Sequence, residues 1–263
     1  MATLWMIGCG NMGGAMLRGW LAAGLDPATV TVVDPGLPLL PEGVTVVTVP
    51  PEGVPDMLMI AVKPQLLDVV APVIAQHVGA QTLLMSILAG VDVATLRTRF
   101  RAPDTIVRVM PNTPAAIGKG VIALFSDSQD HAALEAAQDL MAPLGLVEWI
   151  HEERLFDAVT ALSGSGPAFL FRFIDALGTA GAAIGLPSDQ AARFAMATVE
   201  GAALLAARAS ETPRILADRV ASPGGSTREG MNVLDEGNAL TLLLTHTLQA
   251  AEQRNAEMGR AND

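Results

Sequence analysis

Near residue 150 the periodicity of this chain changes, and that change limits what it can fold into. Before it, short apolar runs alternate with stretches of helical period. Strands are expected at Leu4–Ile7, Thr29–Val33, Met57–Val62, Thr82–Ile87 and Thr105–Met110, and helices at Asn11–Ala23, Pro64–His77 and Val93–Phe100. Two further strands, Gly120–Leu124 and Leu146–Ile150, flank a helix at Ala132–Met141. Strands alternating with helices are the mark of an α/β doubly wound parallel sheet. From Leu155 to Asn255 no period-2 run occurs, only long Ala/Leu/Met stretches broken by Gly-Leu-Pro, Glu-Thr-Pro and Ser-Pro-Gly-Gly. The expected organisation is an α/β domain over residues 1–152 and an all-helical domain over 153–263.

Composition narrows the partners. Hydrophobic residues make up 51% of the chain and only 16% are charged; mean hydropathy is +0.41. A membrane-spanning helix needs about 20 nearly uninterrupted apolar residues. The best candidates are broken by Asp175 and Glu200, so no membrane partner is expected. The apolar surplus instead suggests helices that bury one face in their own core and another against a second copy, as a homodimer or higher homo-oligomer. Net charge is −11, and the 14 Arg and two Lys are scattered. A nucleic-acid partner is not expected, for lack of a basic surface. The single Cys9 leaves no internal disulfide, and no His/Cys cluster suggests a metal. The start Met-Ala-Thr runs directly into a strand, without a signal-like segment, so a cytoplasmic location is expected.

The first strand leads into Gly8-Cys9-Gly10-Asn11-Met12-Gly13, a G-x-G-x-x-G turn that opens a helix. In a dinucleotide site Gly8 makes the tight turn, Gly10 admits a pyrophosphate close to the backbone, and Gly13 lets helix and strand pack. Amides at the helix start then hold the anion. Asp34 ends the next strand, where an acidic residue takes the ribose hydroxyls, although it also reads as a solvated turn residue before Pro35. No Lys or Arg lies between Arg18 and Lys63. A carboxylate without a compensating cation repels a ribose 2′-phosphate, which favours NADH over NADPH. Thr48 and backbone amides keep NADPH open. Ala61-Val62-Lys63-Pro64 and Ser86-Ile87-Leu88-Ala89-Gly90 close two more strands, at the edge where such sheets bind ligands; Lys63 also reads as a surface lysine.

Three further stretches are unusual: Met110-Pro111-Asn112-Thr113-Pro114, Ser163-Gly164-Ser165-Gly166-Pro167-Ala168, and Ser222-Pro223-Gly224-Gly225-Ser226-Thr227. Pro167 suits the first turn of a helix, and Ser226 with Glu229 has the spacing of a capping box. Each alone reads as an ordinary cap. Together, behind a dinucleotide fingerprint, they resemble the pyrroline-5-carboxylate reductase family over essentially the whole chain. The resemblance implies a Rossmann domain followed by an all-α dimerisation domain, with the active site between them. It implies reduction of the cyclic imine 1-pyrroline-5-carboxylate to L-proline, the last step of proline biosynthesis. By position, Ile7 to Met12 form the cofactor loop. Ala61 to Pro64 and Leu88 to Gly90 lie beside the nicotinamide half. The substrate carboxylate rests on amides around Gly225, Ser226 and Thr227, and the Thr227 hydroxyl bonds the ring nitrogen. Glu153 matches a further substrate-side position. Ser226 and Phe169 depart mildly from the family pattern.

The chemistry makes its own demand. A carbonyl reductase must protonate a developing alkoxide and needs an acid such as His, Lys or Tyr. A cyclic imine can enter already protonated, so positioning suffices. The helical half holds no Lys, the chain holds no Tyr, and only His151 and His246 lie beyond residue 150. That favours an imine. It disfavours a β-hydroxyacid dehydrogenase, which relies on a lysine in its helical domain. A non-catalytic dinucleotide-binding protein is the third reading; it needs Gly8, Gly10 and Gly13 but no Ser222–Thr227 loop.

Overall fold

The computed structural model describes residues 2–260. Eight strands form one sheet: β1 (Leu4–Ile7), β2 (Val30–Val33), β3 (Thr45–Val47), β4 (Met57–Ile60), β5 (Leu83–Ser86), β6 (Ile106–Met110), β7 (Gly120–Phe125) and β8 (Gly145–Trp149). Their order is β3-β2-β1-β4-β5-β6-β7-β8. The chain therefore reverses direction of winding between β1 and β4, which is the switch point at which doubly wound sheets hold ligands. Helices α1 (Asn11–Ala22), α2 (Leu67–Ile74), α3 (Val93–Arg99) and α4 (His131–Met141) cover the sheet.

Alternation along each strand explains why both faces are dry. Met6, Met59, Met85 and Val107 point into one core with Leu17 and Trp20 of α1. Their neighbours Trp5, Leu58, Leu84 and Ile106 point into the other, against α2 and α3. Strands buried on two sides read as continuous apolar runs, which is how they appear in the sequence.

Two details depart from the sequence reading. The sheet is not wholly parallel, because β7 runs antiparallel to β6. Only Pro111–Lys119 joins these strands, and a parallel connection needs a crossover of a dozen or more residues. Strand β8 follows α4 and pairs parallel to β7. The short edge strand β3 was not expected; it pairs with β2 through Thr45, Val46 and Val47.

Six further helices follow: α5 (Phe156–Val159), α6 (Gly166–Ala183), α7 (Ser188–Arg208), α8 (Pro213–Val220), α9 (Ser226–Asp235) and α10 (Ala239–Arg260). The described parts of Met1–Ser165 and Ala250–Asp263 make one compact unit and Gly166–Gln249 the other. Residues 153–165 belong with the sheet because Phe156 is buried against Phe125 of β7 and Glu153 is bonded to Arg108 of β6. In the helical unit α6 and α7 approach closely through small residues: a Cβ added to Gly178 would lie 3.2 Å from Ala192 Cα.

Between α5 and α6 the helix widens to a π turn over Thr160–Gly164, closed by the Ser165 amide donating to the Thr160 carbonyl at 2.9 Å. Pro167 has no N–H to offer the carbonyl of Ser163 four residues back. Asn112 supplies the missing donor, its Nδ2 lying 2.9 Å from that oxygen while its Oδ1 accepts the Val121 amide at 2.9 Å. The Met-Pro-Asn-Thr-Pro and Ser-Gly-Ser-Gly-Pro stretches are thus joined by one buried side chain. Replacing it strands a carbonyl and an amide, each costing about 1–3 kcal/mol. Asn112→Ala is expected to lower unfolding stability by about 2–4 kcal/mol in urea melts; a loss under about 0.5 kcal/mol rejects the bridge.

Candidate active site

Gly8 ends β1 and turns the chain into α1. Its φ of +87° is left-handed, and a Cβ there would lie 2.9 Å from the Ala61 carbonyl oxygen and 2.9 Å from Val62 Cγ1. Backbone and space both demand glycine. The same approach sets Ala61, Val62, Lys63 and Pro64, at the end of β4, against the glycine turn. Gly13 packs on this junction, since an added Cβ would meet the Gly8 carbonyl oxygen at 3.3 Å and Ala61 Cβ at 3.4 Å. Beside Gly10 the space is open, with no heavy atom within 4 Å of an added Cβ.

That opening coincides with the start of α1. Gly10 is the N-cap and receives no side-chain cap. Among the described residues, the amides of Gly10, Asn11, Met12 and Gly13 donate to no protein group. Free amides at the positive end of a helix suit an anion, so the cradle fits a dinucleotide pyrophosphate. Ile7 is buried and lends only its backbone. The Cys9 amide is already taken, donating to Asp34 Oδ2 at 2.8 Å, while Gly36 donates to Asp34 Oδ1 at 2.8 Å. Asp34 therefore begins a turn, with the Leu37 amide donating to its carbonyl, while its carboxylate is also held against the glycine turn. Burial pushes the Cys9 thiol up, Asp34 adds to the shift and Arg18 opposes it.

Leu88, Ala89 and Gly90 follow β5, with the Leu88 amide donating to Ser86 Oγ at 3.3 Å. Because β1, β4 and β5 pair side by side in parallel, Gly8–Gly13, Ala61–Pro64 and Leu88–Gly90 share one edge of the sheet. Lys63 is exposed there. Next to Gly90 opens a cleft of about 330 Å³, which Asp92, Arg108, Glu153 and Asp157 also line. Glu153 is thus brought to the Leu88–Gly90 turn. Arg108 had gone unremarked in the sequence, although a lone charge inside a strand buried on both faces requires a partner. It is 6% exposed, its Nη1 donates to Glu153 Oε1 at 2.9 Å, and its Cζ lies 4.4 Å from the Phe156 ring centre.

Gly225, Ser226 and Thr227 belong to the helical unit. Ser222–Gly225 forms a turn with Gly224 at φ +71° and the Gly225 amide donating to the Ser222 carbonyl at 3.0 Å. The expected capping box is absent. Gly225 is the N-cap of α9, Ser226 is already helical, and no side chain caps the end. Among the described residues the Ser226 and Thr227 amides have no protein acceptor, and both side chains are exposed. Arg228 braces this loop, donating to Asp218 Oδ1 at 2.8 Å and to the Ala221 carbonyl at 3.4 Å.

Strand order, glycine cradle and strand-end carboxylate define a Rossmann-type oxidoreductase that works with a nicotinamide dinucleotide. Comparison with known proteins narrows the class. Residues 153–258 match the family model for pyrroline-5-carboxylate reductase dimerisation, and residues 3–90 that for coenzyme F420-dependent NADP oxidoreductase. The chain is 35% identical to the pyrroline-5-carboxylate reductase of Pseudomonas aeruginosa, covering 96% of this chain and 95% of that one. It is also 35% identical to the enzyme of Arabidopsis thaliana, over 97% and 95%. The crystal structure of the Coxiella burnetii reductase matches with a TM-score of 0.87 at 31% identity, covering 97% of this chain and 98% of that one. That of the Plasmodium falciparum reductase, with NADP bound, matches at 0.84 and 26%, over 98% of each. The chain belongs to the pyrroline-5-carboxylate reductase family.

Gly8→Ala is expected to strain the turn by about 1–3 kcal/mol and to weaken NADH binding in a fluorescence titration. Undiminished binding would mean that the dinucleotide does not lie on this turn.

Proposed function

We propose that this chain is a cytoplasmic homodimer that reduces 1-pyrroline-5-carboxylate to L-proline, with NADH preferred over NADPH. A bound reduced nicotinamide supplies hydride to the C=N carbon. The chain's own residues bind and orient. The amides of Gly10 to Gly13 hold the pyrophosphate, Asp34 takes the ribose hydroxyls, and Ala61–Pro64 with Leu88–Gly90 flank the nicotinamide half. The substrate carboxylate rests on the Ser226 and Thr227 amides, with Gly225 leaving room for it, because the Gly225 amide is spent on Ser222. The Thr227 hydroxyl, which has no partner among the described residues, bonds the ring nitrogen. An imine that arrives protonated needs no acid from the protein; His246 of α10 is exposed.

The observation that carries this reading is a pair of helix starts, α1 and α9, each preceded by glycine and each left with unsatisfied amides. One suits a pyrophosphate and the other a carboxylate. Homodimerisation is supported by the helical unit. Among residues 166–249, only Gly178, Ala191, Ala195 and Ala221 are buried, while Phe171 is 62% exposed and Leu243 65%. NADH preference rests on the Asp34 carboxylate, which would repel a 2′-phosphate.

Turnover is tested by NADH oxidation with 1-pyrroline-5-carboxylate, with a 3-hydroxy acid and NAD as control; NADH binding without imine turnover overturns the proposal. Thr227→Ala is expected to depress kcat/KM by about 1–2 kcal/mol, one hydrogen bond, and a wild-type rate removes that contact. Asp34→Ser should raise the ratio of NADPH to NADH activity; an unchanged ratio frees Asp34 of any part in selection.

A further inference from the structure

The turn Leu88–Asp92 leads from β5 into α3, and its far end is held by a carboxylate from a distant part of the chain. Glu153 Oε1 accepts the amide of Val93, the first residue of α3, at 2.8 Å, and the same oxygen accepts Arg108 Nη1 at 2.9 Å. Arg108 is rooted in β6, next to β5, and stacks on Phe156. Asp92 secures the helix start from within, its Oδ1 accepting the Thr95 amide at 2.7 Å. The end of α10 meets the same turn: a Cβ added to Gly259 would lie 3.4 Å from the Gly90 carbonyl oxygen. Nearby, Asn255 Nδ2 donates to the Asp157 carbonyl at 3.3 Å.

Arg108 is buried and Glu153 half-buried, and such an ion pair adds little net stability compared with apolar packing of the same volume. Stability of the fold therefore does not explain why a charged pair stands here. What the pair does uniquely is aim one oxygen at a backbone amide beside the ligand edge of the sheet, through a bond strengthened by charge. We propose that Arg108 and Glu153 are positioning residues that, with the end of α10, hold the Leu88–Asp92 turn in the shape that receives the nicotinamide. The inference rests on the reading that this turn carries the nicotinamide, and it gives Glu153 a role on the cofactor side rather than a contact with the imine.

The full-length protein tests this with three variants. Glu153→Ala removes both bonds, Glu153→Gln keeps the acceptor for Val93, and Gly259→Val presses on Gly90 without touching the ion pair. For each, the Kd for NADH is measured without imine, the KM for imine at saturating NADH, the isotope effect with C4-deuterated NADH, and Tm. Glu153→Ala is expected to raise the NADH Kd about tenfold, as for a lost hydrogen bond to a charged group, and to enlarge the isotope effect. Glu153→Gln should restore most of both, Gly259→Val should reproduce both changes, and imine KM should stay within about twofold. The proposal is overturned if Glu153→Ala leaves NADH Kd and isotope effect unchanged. In that event, a lowered Tm alone marks a structural pair, and a raised imine KM marks a substrate contact. Failure of the wild-type protein to reduce the imine would strike the proposed reaction only, since the NADH Kd is read without it.

Discussion

At the end of β1 the backbone turns through Gly8 hard against the carbonyl of Ala61, and the ligand edge of the sheet is built around that approach. A side chain at Gly8 would push β4 away from β1 and tilt α1 off the strand. The amides at the start of α1 converge only because the turn is this tight. Their partial positive charge, about half a unit for a helix N-terminus, then faces the open space beside Gly10. Asp34 shares in the same construction, because the amide it accepts is that of Cys9, inside the turn. A carboxylate fixed by two backbone amides has little freedom to swing aside. The position of this carboxylate is thereby tied to the geometry of the glycine turn.

The helical unit obeys a different constraint. Its buried positions are one glycine and three alanines, so the close approach of α6 and α7 leaves the large side chains outside. Burying a Leu or Phe contributes about 1.5–3 kcal/mol, while ordering each residue's backbone costs about 1–2 kcal/mol. Four small residues cannot offset the ordering of residues 166–249. The long apolar side chains of these helices need a surface supplied from elsewhere. Small residues inside and large residues outside invert the usual pattern of a self-sufficient bundle.

Much of this was legible in the sequence where one cause acts alone. Seven strands and the four helices that cover the sheet follow from apolar period and turn residues, and the glycine spacing located the cradle because only glycine tolerates such a turn. Beta3 escaped notice because three residues between Pro-rich loops carry too little pattern. The direction of β7 was readable from the nine residues Pro111–Lys119, a connection too short to cross over. The capping box failed because Gly224 and Gly225 let the chain enter α9 one residue earlier than the Ser-x-x-Glu spacing implies. Asn112 and Arg108 depend on partners about fifty residues away, Ser163 and Glu153. No local rule names such partners, yet both residues carried a signal: a proline that orphans a carbonyl, and a charge in a dry strand.

The free amides at the starts of α1 and α9 offer anion sites that demand no acid–base equipment. Phosphate and carboxylate are anions at every physiological pH, and backbone amides neither titrate nor need a proton to bind them. An anion bound through amides leaves the protonation of an imine to the substrate itself. A ketone substrate would break this economy, since its alkoxide must collect a proton from a side chain of suitable pKa. Among the described residues, the cleft beside Gly90 is lined by Asp92, Glu153 and Asp157 together with Arg108 and Arg154, and by no His, Lys or Tyr. The absence of such an acid among these lining residues fits a substrate that brings its own proton.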